Sequence, residues 1–79
     1  MFLEIVTPEK NLFSSEVKYI QVPGSKGEFG VLKNHAALIS TLEKGTIRVV
    51  DMNDQEQFFD INGGVIEVLK NNIIILLKM

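Results

Sequence analysis

The chain of 79 residues contains a single histidine, His35, and no cysteine. Catalysis by His35 would require a nucleophile or carboxylates beside it, and the nearest acid upstream, Glu28, lies seven residues away. Ser25 and Ser40 could complete a Ser-His-Asp triad only in space, and neither lies in a nucleophile elbow. The chain also lacks any Asp-x-Asp or His-x-x-x-Glu cluster typical of metal ligands. The sequence therefore predicts no catalytic centre, no metal site and no cofactor.

A glycine-rich stretch is the second candidate for chemistry, since glycine loops can cradle phosphates. Its glycines at 24, 27 and 30 give G-x-x-G-x-x-G, which is not the G-x-G-x-x-G of dinucleotide-binding folds. Pro23-Gly24 suits the central positions of a type II turn, and Gly30 indicates a bulge or a close backbone approach. We therefore expect a polar loop from Ser25 to Asn34, followed by His35, as the place where binding function lies.

The elements that position these residues are predicted to be almost entirely strands, because period-two alternation and β-branched runs recur between short turn signals. The predicted strands cover residues 2–6, 12–13, 16–22, 28–32, 36–42, 46–52, 56–61, 65–69 and 73–78. Eight to ten short strands fit a single-domain sandwich or flattened barrel. The stretch from Ile73 to Leu77 has no polar face, so we expect a central strand covered on both sides.

Composition limits the classes of function. A chain with 46% hydrophobic and 23% charged residues is one small globular domain, and without disulfides its core is marginal enough to gain from a partner surface. The net charge of -2 provides none of the positive electrostatic potential that binding to nucleic acid requires, so nucleic acid is not an expected partner. The amino terminus lacks the basic cluster of a signal peptide, and the longest apolar run, Ile73 to Leu77, is five residues, so no membrane insertion is expected. The sequence favours a cytosolic protein.

The chain resembles the ε subunits of bacterial F1Fo ATP synthases over essentially its whole length. The matching stretches are LEIVTPE (3–9), LFS (12–14), IQVPG (20–24), GEFGVLKNHA (27–36) with Leu38, LEKGTIR (42–48) and INGGVIEV (61–68). The resemblance implies a flattened ten-stranded β-sandwich over residues 1–79. Such a sandwich would be one non-catalytic rotor subunit at the foot of the central stalk. It would link the γ subunit to the c-ring and couple proton or sodium flow to ATP synthesis on other subunits.

The resemblance also implies contact residues and a location. Lys26, Glu28 and His35 match the part of the family that lies at the junction with the c-ring and γ, and Thr7 and Ser40 match positions near γ. Lys26 departs from the family, in which an acidic residue is often found at this position. The protein would be monomeric within the complex, peripheral, and on the cytoplasmic face of the bacterial plasma membrane.

A second departure concerns the carboxyl end. Many family members continue into a pair of helices that can inhibit ATP hydrolysis and that in some members bind ATP, whereas this sequence stops at Met79 after the last predicted strand. The sequence-based expectation is that the helical hairpin is absent, with little or no inhibition of the ε type and no ATP site, provided that 79 residues is the natural length.

Two other classes of function compete with this interpretation. A biotinyl or lipoyl carrier domain is also all-β and of this size, and Lys44 is the nearest approach to its modified lysine, but Glu43-Lys44-Gly45 lacks the usual Met-Lys-Met or Asp-Lys-Ala context. A small hydrolase that uses His35 is the third hypothesis.

Overall fold

The computed structural model describes residues 1–78, and within that range it contains strands and no helix. The strands are β1 (Phe2–Val6), β2 (Asn11–Gly24), β3 (Gly27–Leu32), β4 (Leu38–Leu42), β5 (Gly45–Asp51), β6 (Glu56–Ile61), β7 (Gly64–Leu69) and β8 (Asn72–Leu77). The all-β class and the single sandwich domain are confirmed. The expected strand number of ten is wrong, because the described residues form eight.

The structure has fewer strands than predicted partly because the two strands predicted at residues 12–13 and 16–22 form a single strand, β2. β2 runs unbroken for 14 residues. Ser14 and Ser15 do not interrupt it, since they pair with Glu4 and Leu3 of β1 in a regular antiparallel ladder. The register of β2 against β5 shifts between Val17 and Tyr19, and such a bulge bends a strand. β2 can therefore serve two sheets.

The sandwich consists of two sheets that share β2. The first sheet has the order β4, β7, β8, β1 and residues 11–16 of β2, and the second contains β3, residues 17–24 of β2, β5 and β6. β4 is joined to β2 by one pair, Gly24 with Leu42. All neighbouring strands are antiparallel except β1 and β8, which are parallel. The strands therefore form one continuous hydrogen-bonded sheet that folds over to enclose the core.

The core lies between the sheets and is aliphatic. Alternate residues of each strand point inward, as in β8, where Ile73, Ile75 and Leu77 are buried. No polar or charged side chain is buried within residues 1–78. The body that carries the site is thus held by apolar packing without internal charges.

The last strand is central, as predicted, because β8 pairs with both β7 and β1. The prediction that both of its faces are covered is wrong. Ile74 and Leu76 point away from the core and are 42% and 48% exposed. The second sheet covers only the inner face of β8, and no layer of the described chain lies over the outer one.

The glycine-rich stretch differs from its prediction in two ways. Pro23 and Gly24 are the last residues of β2, and the turn lies at Ser25 and Lys26, so Pro23-Gly24 is not the centre of a type II turn. Gly30 makes no bulge, since β2 and β3 pair in continuous register. Gly30 instead lies close against the Tyr19 ring, because a Cβ there would collide with that ring.

No helix of residues 1–78 is long and apolar enough to cross a membrane.

Candidate interaction surface

A groove between the tip of the β2–β3 hairpin and β4 brings together three predicted contact residues. It has a volume of about 580 Å³, and Lys26, Glu28 and Ser40 are among its lining residues. Ile39 and Phe29 supply apolar lining beside them. The groove therefore combines opposite charges, hydroxyl groups and apolar surface, which is a composition suited to a protein or peptide partner.

The groove is held in shape by hydrogen bonds between the hairpin tip and β4. Thr41 Oγ1 donates to Ser25 Oγ at 2.9 Å, and the Ser25 backbone N–H donates to the Thr41 carbonyl at 3.0 Å. The Glu43 N–H donates to the Pro23 carbonyl at 2.9 Å. Each such bond contributes about 0.5–1.5 kcal/mol net. The turn that carries Lys26 is therefore fixed to the sheet rather than free in solvent.

The two charges of the groove have different surroundings. Glu28 Oε1 accepts a hydrogen bond from Gln21 Nε2 at 3.0 Å, which orients its carboxylate. Lys26 is exposed in the turn, and within residues 1–78 no salt bridge involves Lys26 or Glu28. Both charges are therefore available to a partner, with Glu28 the better oriented of the two.

His35 lies outside the groove. The segment from Ser25 to Asn34 was expected to be one loop, but it comprises a turn, the strand β3 and the start of the connection 33–37. β3 separates the turn from His35 by about 17 Å along the strand. The strand predicted at residues 28–32 is present as β3, and a strand of this length inside the segment is incompatible with a single loop.

His35 lies in the connection between β3 and β4. The ring is half-buried, and its Nδ1 lies 2.7 Å from the Ala36 carbonyl oxygen. Among the described residues, no group of three or more His, Cys, Asp or Glu side chains is placed to hold a metal ion. Within residues 1–78 the Ala36 carbonyl is the hydrogen-bond partner of the ring, and no nucleophile or carboxylate is bonded to the ring.

Thr7 and Lys44 lie in other parts of the molecule. The Thr7 hydroxyl accepts from the Lys10 N–H at 3.1 Å and so stabilises the β1–β2 turn. Lys44 lies between β4 and β5, which pair with β7 and β2 and not with each other. A carrier domain needs its lysine at a hairpin tip, so the geometry disfavours that alternative.

One surface escaped the sequence reasoning. The outward side of the first sheet carries a patch of apolar residues, which we call the outer apolar face: Ile39, Val65, Ile74 and Leu76. Val65 pairs directly with Leu76, and Ile39 and Ile74 flank Glu67 across the ladder. Ile39 is 72% exposed and also lines the groove, so the two surfaces are continuous. Exposed apolar patches of this kind mark interaction sites. The uninterrupted apolar run of β8 was the available signal.

Comparison with known proteins places the chain in a family. Residues 1–78 match the family model described as ATP synthase, Delta/Epsilon chain, beta-sandwich domain. The ATP synthase epsilon chain of Campylobacter hominis is 46% identical over 77 residues, which cover 96% of this chain and 59% of that relative. The epsilon chain of Desulforapulum autotrophicum is 40% identical over 76 residues, covering 96% and 56%. The chain thus spans less than two thirds of the length of these relatives.

Solved structures agree in fold. A chain in the cryo-EM structure of the Euglena gracilis mitochondrial ATP synthase, OSCP/F1/c-ring, superposes with a TM-score of 0.90 at 23% identity, covering 95% of this chain and 48% of that one. A chain in the Tetrahymena thermophila mitochondrial ATP synthase central stalk/c-ring structure gives 0.83 at 16% identity, covering 100% and 63%. At these identities the likeness shows the sandwich fold alone.

Proposed function

The chain belongs to the ATP synthase delta/epsilon family as its β-sandwich domain, and we propose that it is a non-catalytic rotor component of the central stalk of an F1Fo ATP synthase. In this role it links the γ subunit to the c-ring and passes ion-driven rotation of the ring into F1. The coupling ion would be a proton or sodium. The protein would be peripheral, on the cytoplasmic face of a bacterial plasma membrane, with one copy in each complex.

The observation that carries this proposal is a rigid body with a fixed, mixed surface. Its core is aliphatic and holds no charge within residues 1–78, while the groove and the outer apolar face offer polar and apolar contacts side by side. A coupling element must transmit torque without deforming, and close-packed interiors of this kind have low compressibility.

The proposed contacts fall into three regions. Lys26 and Glu28 at the hairpin end would meet the polar loops of the c-ring, since both are charged and exposed and neither forms a salt bridge within residues 1–78. Ile39, on the β4 side of the groove, would face γ together with the outer apolar face. Ser40, the next residue of β4, points to the opposite side of the strand and would contact γ only from within the groove. His35 would make a separate contact about 17 Å away along β3, at the opposite end of the molecule. Thr7 is the weakest candidate, because its hydroxyl is used by its own turn.

Regulation is a separate part of the proposal. Inhibition of ATP hydrolysis resides in the C-terminal helices in the family, so the sandwich of residues 1–78 would bind F1 without suppressing its ATPase activity. Addition of the purified 79-residue chain to ε-depleted F1 tests this. ATPase activity should remain near the depleted level, and strong suppression would contradict the proposal.

Co-purification tests the central claim. Expressed together with the γ subunit of its own complex, the tagged chain should recover γ in a 1:1 ratio. Lys26→Ala and Glu28→Gln should leave this γ complex intact and weaken attachment to the c-ring. Lys10→Ala and Glu9→Gln are matched controls, because both side chains are exposed on the β1–β2 turn away from the groove. Failure of the unmodified chain to bind γ would refute the assignment.

A further inference from the structure

Two asparagines that are 37 residues apart pair through both their side chains at the end of the molecule where His35 lies. The Asn34 backbone N–H donates to Asn71 Oδ1 at 2.7 Å. In return, Asn71 Nδ2 donates to Asn34 Oδ1 at 3.1 Å. The pair is reciprocal, and it connects the 33–37 connection, which follows the second sheet, to the β7–β8 turn of the first. We call it the asparagine latch.

One side of the latch is firmly held. Lys70 and Asn71 form the two-residue connection between β7 and β8, with φ of 50° and 64°. These positive values are those of a type I′ hairpin turn, whose twist matches the flanking strands. The Asn71 carbonyl also accepts a hydrogen bond from the Phe2 N–H of β1 at 2.8 Å. Asn71 is therefore a fixed point to which another segment can be tied.

The other side is a segment without ladder pairing. Residues 33–37 belong to no strand, and the His35 N–H bonds only to Leu32 at the end of β3, at 3.1 Å. Asn34 is held with φ of 66°, in the left-handed region that asparagine tolerates better than most residues. The connection runs on into β4 of the first sheet, and the latch ties its beginning to the β7–β8 turn and fixes the residue directly before His35.

We propose that Asn71 is a positioning residue that acts through Asn34 to present His35 to its partner. This inference rests on the proposed function, in which His35 is a contact. Binding a connection that is already ordered avoids an ordering cost at the moment of association. The two hydrogen bonds are exposed, so the latch has a modest strength, and its loss should change opening and binding by about three- to tenfold.

Hydrogen exchange in the isolated chain tests the latch without any partner. Asn71→Gly keeps the positive φ and removes both side-chain bonds, and it should raise the exchange rates of the Asn34 and His35 amides about three- to tenfold, with core amides such as Ile20 unchanged. Lys70→Gly is the matched control, since it alters the same turn and leaves the latch in place. Equal exchange at Asn34 and His35 in both variants would refute the latch.

Binding to γ, or to the assembled rotor, tests the positioning role. Asn71→Gly should weaken binding about three- to tenfold relative to Lys70→Gly, and Asn71→Asp, which keeps the acceptor for the Asn34 N–H, should lie between them. The decisive measurement is the double variant with His35→Ala. It should bind no more weakly than His35→Ala alone, because Asn71 acts through His35.

The outcomes separate the two proposals. Additive losses from Asn71→Gly and His35→Ala, or unchanged binding in Asn71→Gly, would overturn the positioning role while the exchange data still establish the latch. If the unmodified chain binds neither γ nor the assembled rotor, the proposed function fails, and the positioning role fails with it. The exchange result is then read on its own as a statement about the fold.

Discussion

Ile39 is 72% exposed at the edge where the groove meets the outer apolar face. Replacing Ile39 by serine should affect affinity for the partner more than stability of the free chain. The side chain contributes little to the core, and it would be covered in the proposed complex. The change removes a β-branched residue from a strand, which costs at most about 1 kcal/mol in the free chain. The free chain should therefore remain folded.

The expected loss in the complex follows from the exposed fraction. Full burial of an isoleucine side chain contributes about 1.5–3 kcal/mol. If γ covers the 72% that is accessible, the contact contributes about 1–2 kcal/mol, so Ile39→Ser should weaken binding by about 5- to 30-fold.

Titration calorimetry against γ measures the affinity, and thermal unfolding of the free chain measures the stability. Phe58→Ser is the matched control, since Phe58 is 60% exposed on β6 in the second sheet and loses a residue of high β-propensity in the same way. Equal affinities for Ile39→Ser and the unmodified chain would refute the placement of γ. A loss that is the same for Phe58→Ser would show that the effect is not specific to this face.

The remaining predictions concern coupling and stability. Glu28→Gln should lower ATP-driven ion pumping by the reconstituted complex severalfold while Glu9→Gln leaves it unchanged, because Glu28 lines the groove with its carboxylate oriented by Gln21 whereas Glu9 lies on the β1–β2 turn. Equal pumping by both variants would contradict this. Gly30→Ala should lower stability by about 1–3 kcal/mol, since its Cβ would collide with the Tyr19 ring. The smallest such loss should lower the thermal midpoint by about 4 °C in a domain of this size, so a midpoint within about 2 °C of the unmodified chain would contradict it. Ile75→Ala, at a fully buried site, should cost about 2–5 kcal/mol in denaturant unfolding, and a loss below about 1 kcal/mol would mean that β8 does not form the core.

Much of the fold was predictable because period-two alternation is a local property. The bounds of β1 and β6 were predicted at residues 2–6 and 56–61, as the structure has them. The errors fell where local signals conflict with pairing. Ser14-Ser15 suggested a break that the ladder with β1 overrides. Pro23-Gly24 suggested a turn that lies two residues later. Tertiary pairing decides such positions, because a strand partner satisfies backbone groups that a turn would leave exposed.

The candidate site was less predictable, because its residues converge through a single distant contact. Lys26 and Ser40 share a groove only because the end of β2 meets the end of β4, at Gly24 and Leu42. His35, close to Lys26 in sequence, is carried away by β3. The sequence supplied the candidate residues, and strand pairing decided which of them are neighbours.

The sequence by itself determined the all-β class, the aliphatic core and the lack of a recognisable catalytic motif, since these depend on composition and on alternation within each strand. Only the tertiary structure decided that the outer sides of Ile74 and Leu76 face solvent, that Ile39 joins them to a polar groove, and that Asn34 pairs with Asn71. The physical reason is that a strand's period fixes which residues share a side. Long-range pairing and sheet packing alone determine what lies against that side.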